Sequence, residues 1–252
     1  MRSYGNRAPL ISLSVFFPAY NDAPSIGKLV EKAFAVLLER AADFEVIVVN
    51  DGSFDSTAET LSGLERRYGA RFRVITHREN RGYGAALRSG LAAARKDFVF
   101  YTDGDGQYDV GELPKLLDRM EPGVGLVNGY KLERSDPWRR IVIGNIYNRF
   151  ARLIFRIRLR DIDCDFRLIR RALLDEIRLS TTSGTICVEL VRKLELSSHR
   201  VVEVGVHHYP RLHGHSQFFR FRSLMTTLYQ LAQLYLRLVV APVFTGKDRR
   251  IA

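Results

Sequence analysis

Two carboxylates, Asp103 and Asp105, flank Gly104 in the run Thr102-Asp103-Gly104-Asp105-Gly106-Gln107. Residues i and i+2 of a turn can both point toward one oxygen-rich site. Carboxylates are the ligands that hard cations such as Mg2+ and Mn2+ prefer, with substrate phosphates completing the shell. Gln107 adds a carbonyl oxygen beside them. The competing reading is a plain acidic turn, because Asp and Gly form turns for local reasons. Three further polar clusters bear on the choice. They are Pro18-Ala19-Tyr20-Asn21-Asp22, Asn50-Asp51-Gly52-Ser53-Phe54-Asp55-Ser56-Thr57 and Asn80-Arg81-Gly82-Tyr83-Gly84-Ala85-Ala86. Asp51 offers an acceptor for the N–H of a nucleotide base. The glycines let backbone and a helix N-terminus approach a diphosphate closely.

The elements around these clusters alternate. Short β-rich runs fall at 10–17, 44–49, 72–76, 97–102 and 124–129, and helical patterns at 25–40, 55–68, 84–95 and 109–120. Strands alternating with helices imply βαβ units, a mostly parallel sheet and helices on both of its faces. Such sheets bind ligands at the carboxyl ends of their strands, so the polar clusters are expected to converge on one crevice. Three clusters at successive strand ends go beyond what turn formation alone requires. The second half breaks the rhythm. Residues 138–156 form a long amphipathic stretch, with Ile143, Ile146, Tyr147, Phe150 and Ile154 expected on one face and arginines interleaved. Short strands are expected at 166–169 and 201–206. A last helix is expected over 218–240, its polar residues confined to one narrow stripe.

The chain has 252 residues, 46% of them hydrophobic and 27% charged, which fits an ordinary globular core and excludes disordered, collagen-like and disulfide-scaffold classes. Its two cysteines, Cys164 and Cys187, make no framework and are expected as small buried side chains. No apolar run reaches the ~18 residues of a membrane span, and residues 1–9 lead into a strand rather than a signal peptide. The net charge of +11 is unevenly placed: residues 1–128 carry 16 Lys/Arg against 17 Asp/Glu, and residues 129–252 carry 23 against 11. Residues 131–160 alone hold nine Lys/Arg and two Asp/Glu. The positive half points to an anionic partner, namely a phosphate, a nucleic acid or a membrane surface, or else to a solvated basic face. His207, His208, His213 and His215 lie close together, at spacings unlike those of structural zinc sites.

Together, in this order and spacing, the motifs PAYND, VNDGSFDST, NRGYGAA and TDGDGQ resemble the family-2 glycosyltransferases of GT-A (Rossmann-like) fold. Within that group the likeness is to polyprenol-phosphate glycosyltransferases of the dolichyl-phosphate mannosyltransferase type. It runs from about residue 10 to 219. The resemblance implies that Pro18, Tyr20, Asp22, Asp51, Asp103 and Gly104 bind the donor nucleotide, with Asp22 standing where Glu is frequent. It implies that Asp103, Asp105 and Gln107 hold Mg2+ or Mn2+. It assigns the acceptor phosphate to Lys131, Arg140, Arg211 and Ser216, and catalysis to Asp105, Arg140 and Arg211. Asn50 stands where Asp is usual, Gly144 where a Ser often supports the phosphate, and Asp165 where a Gly is usual in the segment 161–167.

The implied reaction is inverting transfer of a sugar from a UDP- or GDP-linked donor to a dolichyl or undecaprenyl phosphate, at the cytoplasmic face of a membrane. A transferase domain is then expected over 1–217, its donor half at about 10–130 and its acceptor half at 131–217, with an amphipathic helix and tail over 218–252. The stretch 138–156 either takes up the first isoprene units or packs on the sheet with its arginines in solvent. The C-terminal helix has three uses open to it: lying in the bilayer interface, pairing in a homo-oligomer, or covering the core. An alternative keeps the fold and takes a hydroxyl acceptor, with Asp163 or Asp165 as base. Another class altogether is a basic nucleic-acid- or membrane-binding module with a degenerate site. The retained Asp103, Asp105 and Gln107 argue against it, and nucleic acid is not an expected partner.

Overall fold

The structure is a computed structural model, and it describes residues 11–134, 138–211 and 221–241. Seven strands build one sheet: β1 (Ile11–Ala19), β2 (Ala41–Asn50), β3 (Phe72–Thr76), β4 (Phe98–Thr102), β5 (Val124–Arg134), β6 (Phe166–Arg170) and β7 (Arg200–His208). Their order is β3-β2-β1-β4-β6-β5-β7. The pairs β1–β2, β1–β4, β2–β3 and β5–β7 are parallel, and β6 runs antiparallel to both β4 and β5. Six strands therefore point the same way and β6 alone is reversed. The carboxyl ends of the six gather at one edge, and the start of β6 joins them there. The mostly parallel sheet expected from the sequence is what forms.

The strands are apolar on both sides because helices cover both faces. In β1, Leu13, Val15 and Phe17 face one core and Phe16 faces the other. The first core is closed by α1 (Ala23–Arg40), α2 (Thr57–Tyr68) and the short α4 (Leu113–Leu117). The second is closed by α3 (Tyr83–Ala93), α5 (Trp138–Phe155), α7 (Thr185–Glu195) and α8 (Phe221–Tyr235), with α6 (Arg171–Asp175) at its margin.

Several elements depart from the sequence reading. The helix expected over 109–120 shrinks to a 3-10 turn at Val110–Glu112 followed by α4, because Asp109 caps the turn at Gly111 N–H (2.7 Å) and Pro114 sits at the helix start. Helix α7 forms where the sequence reading assigns no element. It carries eight buried residues, among them Ile186, Cys187, Leu190, Val191 and Leu194 at helical spacing, an apolar face that packs on the second core. The largest difference lies in α5. Its inward side is Asn148, Ala151 and Phe155, with Tyr147 and Ile154 partly covered. Ile143, Ile146 and Phe150, expected on the packed face, are instead exposed, together with Val142 and Leu153. Of the uses open to the last helix, core covering is realised: Leu231, Leu234 and, in the wider turn Leu236–Val240 that follows α8, Leu238 are buried.

Candidate active site

The site grows from the carboxyl ends of β1, β2 and β4. The turn after β1 and the turn after β2 are laced together. Asn21 N–H donates to Ser53 Oγ (2.9 Å), Asn21 Oδ1 accepts from Phe54 N–H (3.0 Å), and Asp22 N–H donates to Thr57 Oγ1 (3.1 Å). Asn50 shapes this turn, its Oδ1 accepting from Ser53 N–H at 3.0 Å. Gly52 has φ +69°, and a Cβ there would lie 2.4 Å from the backbone of Glu79, so only glycine allows the β2 turn to rest on the loop after β3. Tyr20 meets Phe54 edge to face, centroids 6.1 Å apart, and Phe54 is exposed at the rim. These contacts hold the Tyr20–Asp22 turn at the end of β1 against the turn after β2.

The floor is the 103–107 turn. Gly104 N–H donates to the Pro18 carbonyl (3.1 Å), and a Cβ at Gly104 would meet that oxygen at 2.7 Å. Glycine thus brings Asp103 and Asp105 against the end of β1. Tyr83, the first residue of α3, donates its hydroxyl to Asp103 Oδ1 at 2.9 Å. Burial raises the Asp103 carboxyl well above the usual range, and the nearby carboxylates of Asp165 and Asp105 add to the rise. Burial also raises Asp22, to about 6, with Asp105 and Asp55 adding to it and the Tyr20 N–H hydrogen bond opposing. Acids lifted by desolvation and by one another mark a crevice that favours a cation.

Arg211 is that cation in the structure. Its guanidinium pairs with the Asp105 carboxylate, and its Nε–H donates to Gln107 Oε1 at 3.4 Å. Gln107, expected as a metal ligand, is spent differently. Its side-chain N–H donates to the Tyr209 carbonyl (3.1 Å), and its backbone carbonyl accepts from Tyr209 N–H (2.8 Å). It fastens the end of β7, and so Arg211, over the acidic turn. Asp51 is also more committed than expected. It is 2% exposed, and Oδ1 accepts from Arg81 N–H and Oδ2 from Gly82 N–H, both at 2.9 Å.

On the acceptor side, Lys131, expected as a phosphate ligand, is engaged with the 161–163 segment. Its side chain is 7% exposed, and its ammonium donates to the Asp163 carbonyl (2.7 Å) and reaches Asp161 Oδ2 (3.4 Å). These contacts tie β5 to Asp161 and Asp163. Arg140 falls in the first turn of α5, its side chain outside the described part, and Ser216, His213 and His215 lie outside the described residues. His207 pairs with Glu112, and His208 packs against Tyr108.

Sequence reasoning gave no role to Arg167, which organises this side. Arg167 is fully buried and bonds Asn128 Oδ1 (2.7 Å), Asp165 Oδ1 (2.7 Å), the Tyr101 hydroxyl and the Ile162 carbonyl. Asp165 also accepts from Cys187 Sγ at 3.2 Å. The signal was present in the segment 161–167, but the partners come from β4, β5 and α7 and are not visible in one stretch of sequence. Both cysteines are free and buried, and burial pushes the Cys164 thiol up to about 12.

Asp103 and Asp105 suit a hard cation. Among the described residues no three His, Cys, Asp or Glu side chains are arranged to hold a metal on their own. Two carboxylates with phosphate oxygens from a ligand are what Mg2+ and Mn2+ accept.

Residues 14–178 match the sequence model of glycosyl transferase family 2. The chain belongs to that family. The chain is 29% identical over 217 residues to the undecaprenyl-phosphate 4-deoxy-4-formamido-L-arabinose transferase of Pseudomonas aeruginosa, covering 86% of this chain and 63% of the relative. It is 26% identical over 213 residues to the enzyme of the same name from Aeromonas hydrophila, covering 84% and 64%. It thus spans less than two thirds of the length of these relatives. Among solved structures, mannosyl-3-phosphoglycerate synthase from Rubrobacter xylanophilus aligns with TM-score 0.66 at 21% identity, covering 94% of this chain and 76% of that one. Glucosyl-3-phosphoglycerate synthase from Mycobacterium tuberculosis, in complex with Mn2+, UDP and phosphoglyceric acid, aligns with TM-score 0.64 at 18% identity, covering 90% and 78%. These neighbours share the GT-A fold.

Proposed function

We propose that the chain transfers a sugar, with inversion, from a nucleoside diphosphate sugar to a polyprenyl phosphate. The observation that carries this is the Asp103–Asp105 pair at the carboxyl edge of the sheet with Arg211 fastened over it. Asp103 and Asp105 would hold Mg2+ or Mn2+. The cation would neutralise the charge that develops on the leaving nucleoside diphosphate. The wall formed by Pro18, Tyr20 and Asp22 receives the nucleotide. Arg211 sits within reach of two anions in turn, Asp105 before the donor arrives and the phosphates afterwards, so its charge is already oriented when the reaction needs it. A phosphate monoester is largely ionised near pH 7 and attacks without a strong general base. Arg140 is proposed to orient that phosphate, with Arg211 and Ser216. The relatives named for undecaprenyl phosphate support the acceptor class. A base-assisted attack by a hydroxyl is less well served, because Asp165 is bound up with Arg167, Tyr101 and Cys187.

The acceptor is a lipid, and α5 suits its source. Val142, Ile146, Phe150 and Leu153 stand exposed along it, with Arg149 beside them. An apolar ridge with interleaved arginines fits the interface of an anionic membrane. None of the described helices is long and apolar enough to cross one. We propose that the chain meets a membrane through α5, at the cytoplasmic face where nucleotide sugars are made. The test of the donor half is thermal stability with Mn2+ and a panel of nucleoside diphosphates. Binding to the native state raises the midpoint. A metal-dependent rise with UDP or GDP is expected, and no rise with any nucleotide at saturation would overturn the reading.

A further inference from the structure

Behind the crevice, three side chains form a relay. His77 follows β3 directly, and its backbone N–H donates to the Asn50 carbonyl at 2.9 Å. Its ring is buried, with Nδ1 2.6 Å from Asp51 Oδ1 and Nε2 2.9 Å from Ser89 Oγ on α3. A carboxylate only accepts, so Nδ1 carries the proton, and Nε2 of the neutral ring accepts from the Ser89 hydroxyl.

Ser, His and Asp in this order serve nucleophilic catalysis on other scaffolds. Here Ser89 stands inside α3, where neighbouring amides are spent on the helix's own carbonyls rather than offered to an oxyanion. The arrangement serves to hold, and what it holds is the turn at 81–82. Both of that turn's amides end on Asp51. Gly82, at φ 92°, leads straight into Tyr83, whose hydroxyl binds Asp103. One set of bonds therefore runs from Ser89 through His77, Asp51 and the 81–82 backbone to Tyr83 and the acidic turn.

We infer that His77, backed by Ser89, is a positioning residue for the nucleoside diphosphate site. It fixes the Asp51 carboxylate and, through it, the 81–82 turn that leads into Tyr83 and so to Asp103. It touches no ligand itself. A turn of this kind that is not held must be ordered at the moment of binding, and that cost falls on donor affinity more than on the chemical step. The inference rests on the donor-site reading above.

The experiment titrates UDP and GDP, with Mn2+, into the full chain and into H77A, H77N and S89A. Donor KM and kcat are measured alongside, together with hydrogen exchange at the Arg81 and Gly82 amides. Losing a hydrogen bond to a buried carboxylate predicts about a tenfold or greater loss of nucleotide affinity in H77A. Donor KM should rise by a similar factor while kcat changes little, and the two amides should exchange faster. Asn places a donor near the position of Nδ1, so H77N should recover most of the affinity, and S89A should fall between. Wild-type affinity and protected amides in H77A would overturn the inference while leaving the donor reading intact. A wild-type protein that binds neither nucleotide would overturn both. Should H77A fail to fold, S89A decides: weakened nucleotide binding supports the inference, and unchanged binding overturns it.

Discussion

Asp22 shows how a single side chain registers the charge balance of the crevice. Its pKa is raised from 3.8 to about 6, chiefly by burial. A carboxyl whose folded pKa lies above its unfolded value favours the native state when protonated. Stability is therefore lost as pH rises from about 4 through 6, by up to about 3 kcal/mol at 1.36 kcal/mol per unit. Asp22→Asn keeps an oxygen for the Tyr20 N–H and removes the charge. Thermal denaturation of this variant should match wild type near pH 4 and exceed it by several degrees at pH 7.5. A difference that does not change with pH, or a variant less stable at pH 7.5, would contradict the assignment. Burial is the first cause of both raised acids, Asp22 and Asp103; neighbouring carboxylates add to it, and Arg211 opposes it.

Among the elements, α5 and β6 bear most on function. Helix α5 departs from its expected orientation because apolar residues lie almost all around it. Periodicity then cannot say which side the sheet takes. Small Ala151 and bulky Phe155 go inward, and Ile146, Phe150 and Leu153 remain outside. Replacing Ile146 and Leu153 together by Glu should leave the fold and nucleotide binding intact. Vesicles containing anionic lipid should then retain several-fold less of the variant than of wild type in a flotation assay. Equal retention would remove α5 from the membrane contact. Strand β6 explains why a segment 60 residues after the acidic turn reaches it. Being reversed, it starts at the edge where its neighbours end, with Phe166 opposite Thr102. Its apolar run is legible in the sequence. Its direction is not, because direction depends on partners in β4 and β5.

For the whole molecule, the alternating pattern and the four polar clusters predict the parallel half of the sheet and the edge that carries the site. The strand ends at Ala19, Asn50 and Thr102 and the opening of α3 at Tyr83 fall at or near the places the motifs mark. What sequence could not supply was occupancy. Lys131 and Asp51 have the residue types of ligand-binding groups, yet the fold engages both with the chain's own partners. Arg167 lies in a visible motif, but its burial depends on Tyr101, Asn128 and Asp165 converging from three places. Helix α7 is a different case: Ile186, Cys187, Leu190, Val191 and Leu194 recur at helical spacing, a stripe that the sequence reading passed over.

The central claim is that Asp103 and Asp105 mark the site where a nucleotide-linked sugar passes to a lipid phosphate. Its most direct measurement uses labelled UDP- and GDP-sugars, Mn2+ and undecaprenyl phosphate in detergent, with extraction of the lipid. Wild type should move label into the organic phase with one donor. Chelation of the metal should stop this, and D105N should lower it by at least about a hundredfold while keeping the wild-type fold. Label that reaches the lipid equally well with D105N, or that never reaches it with any donor in the panel, would contradict the account.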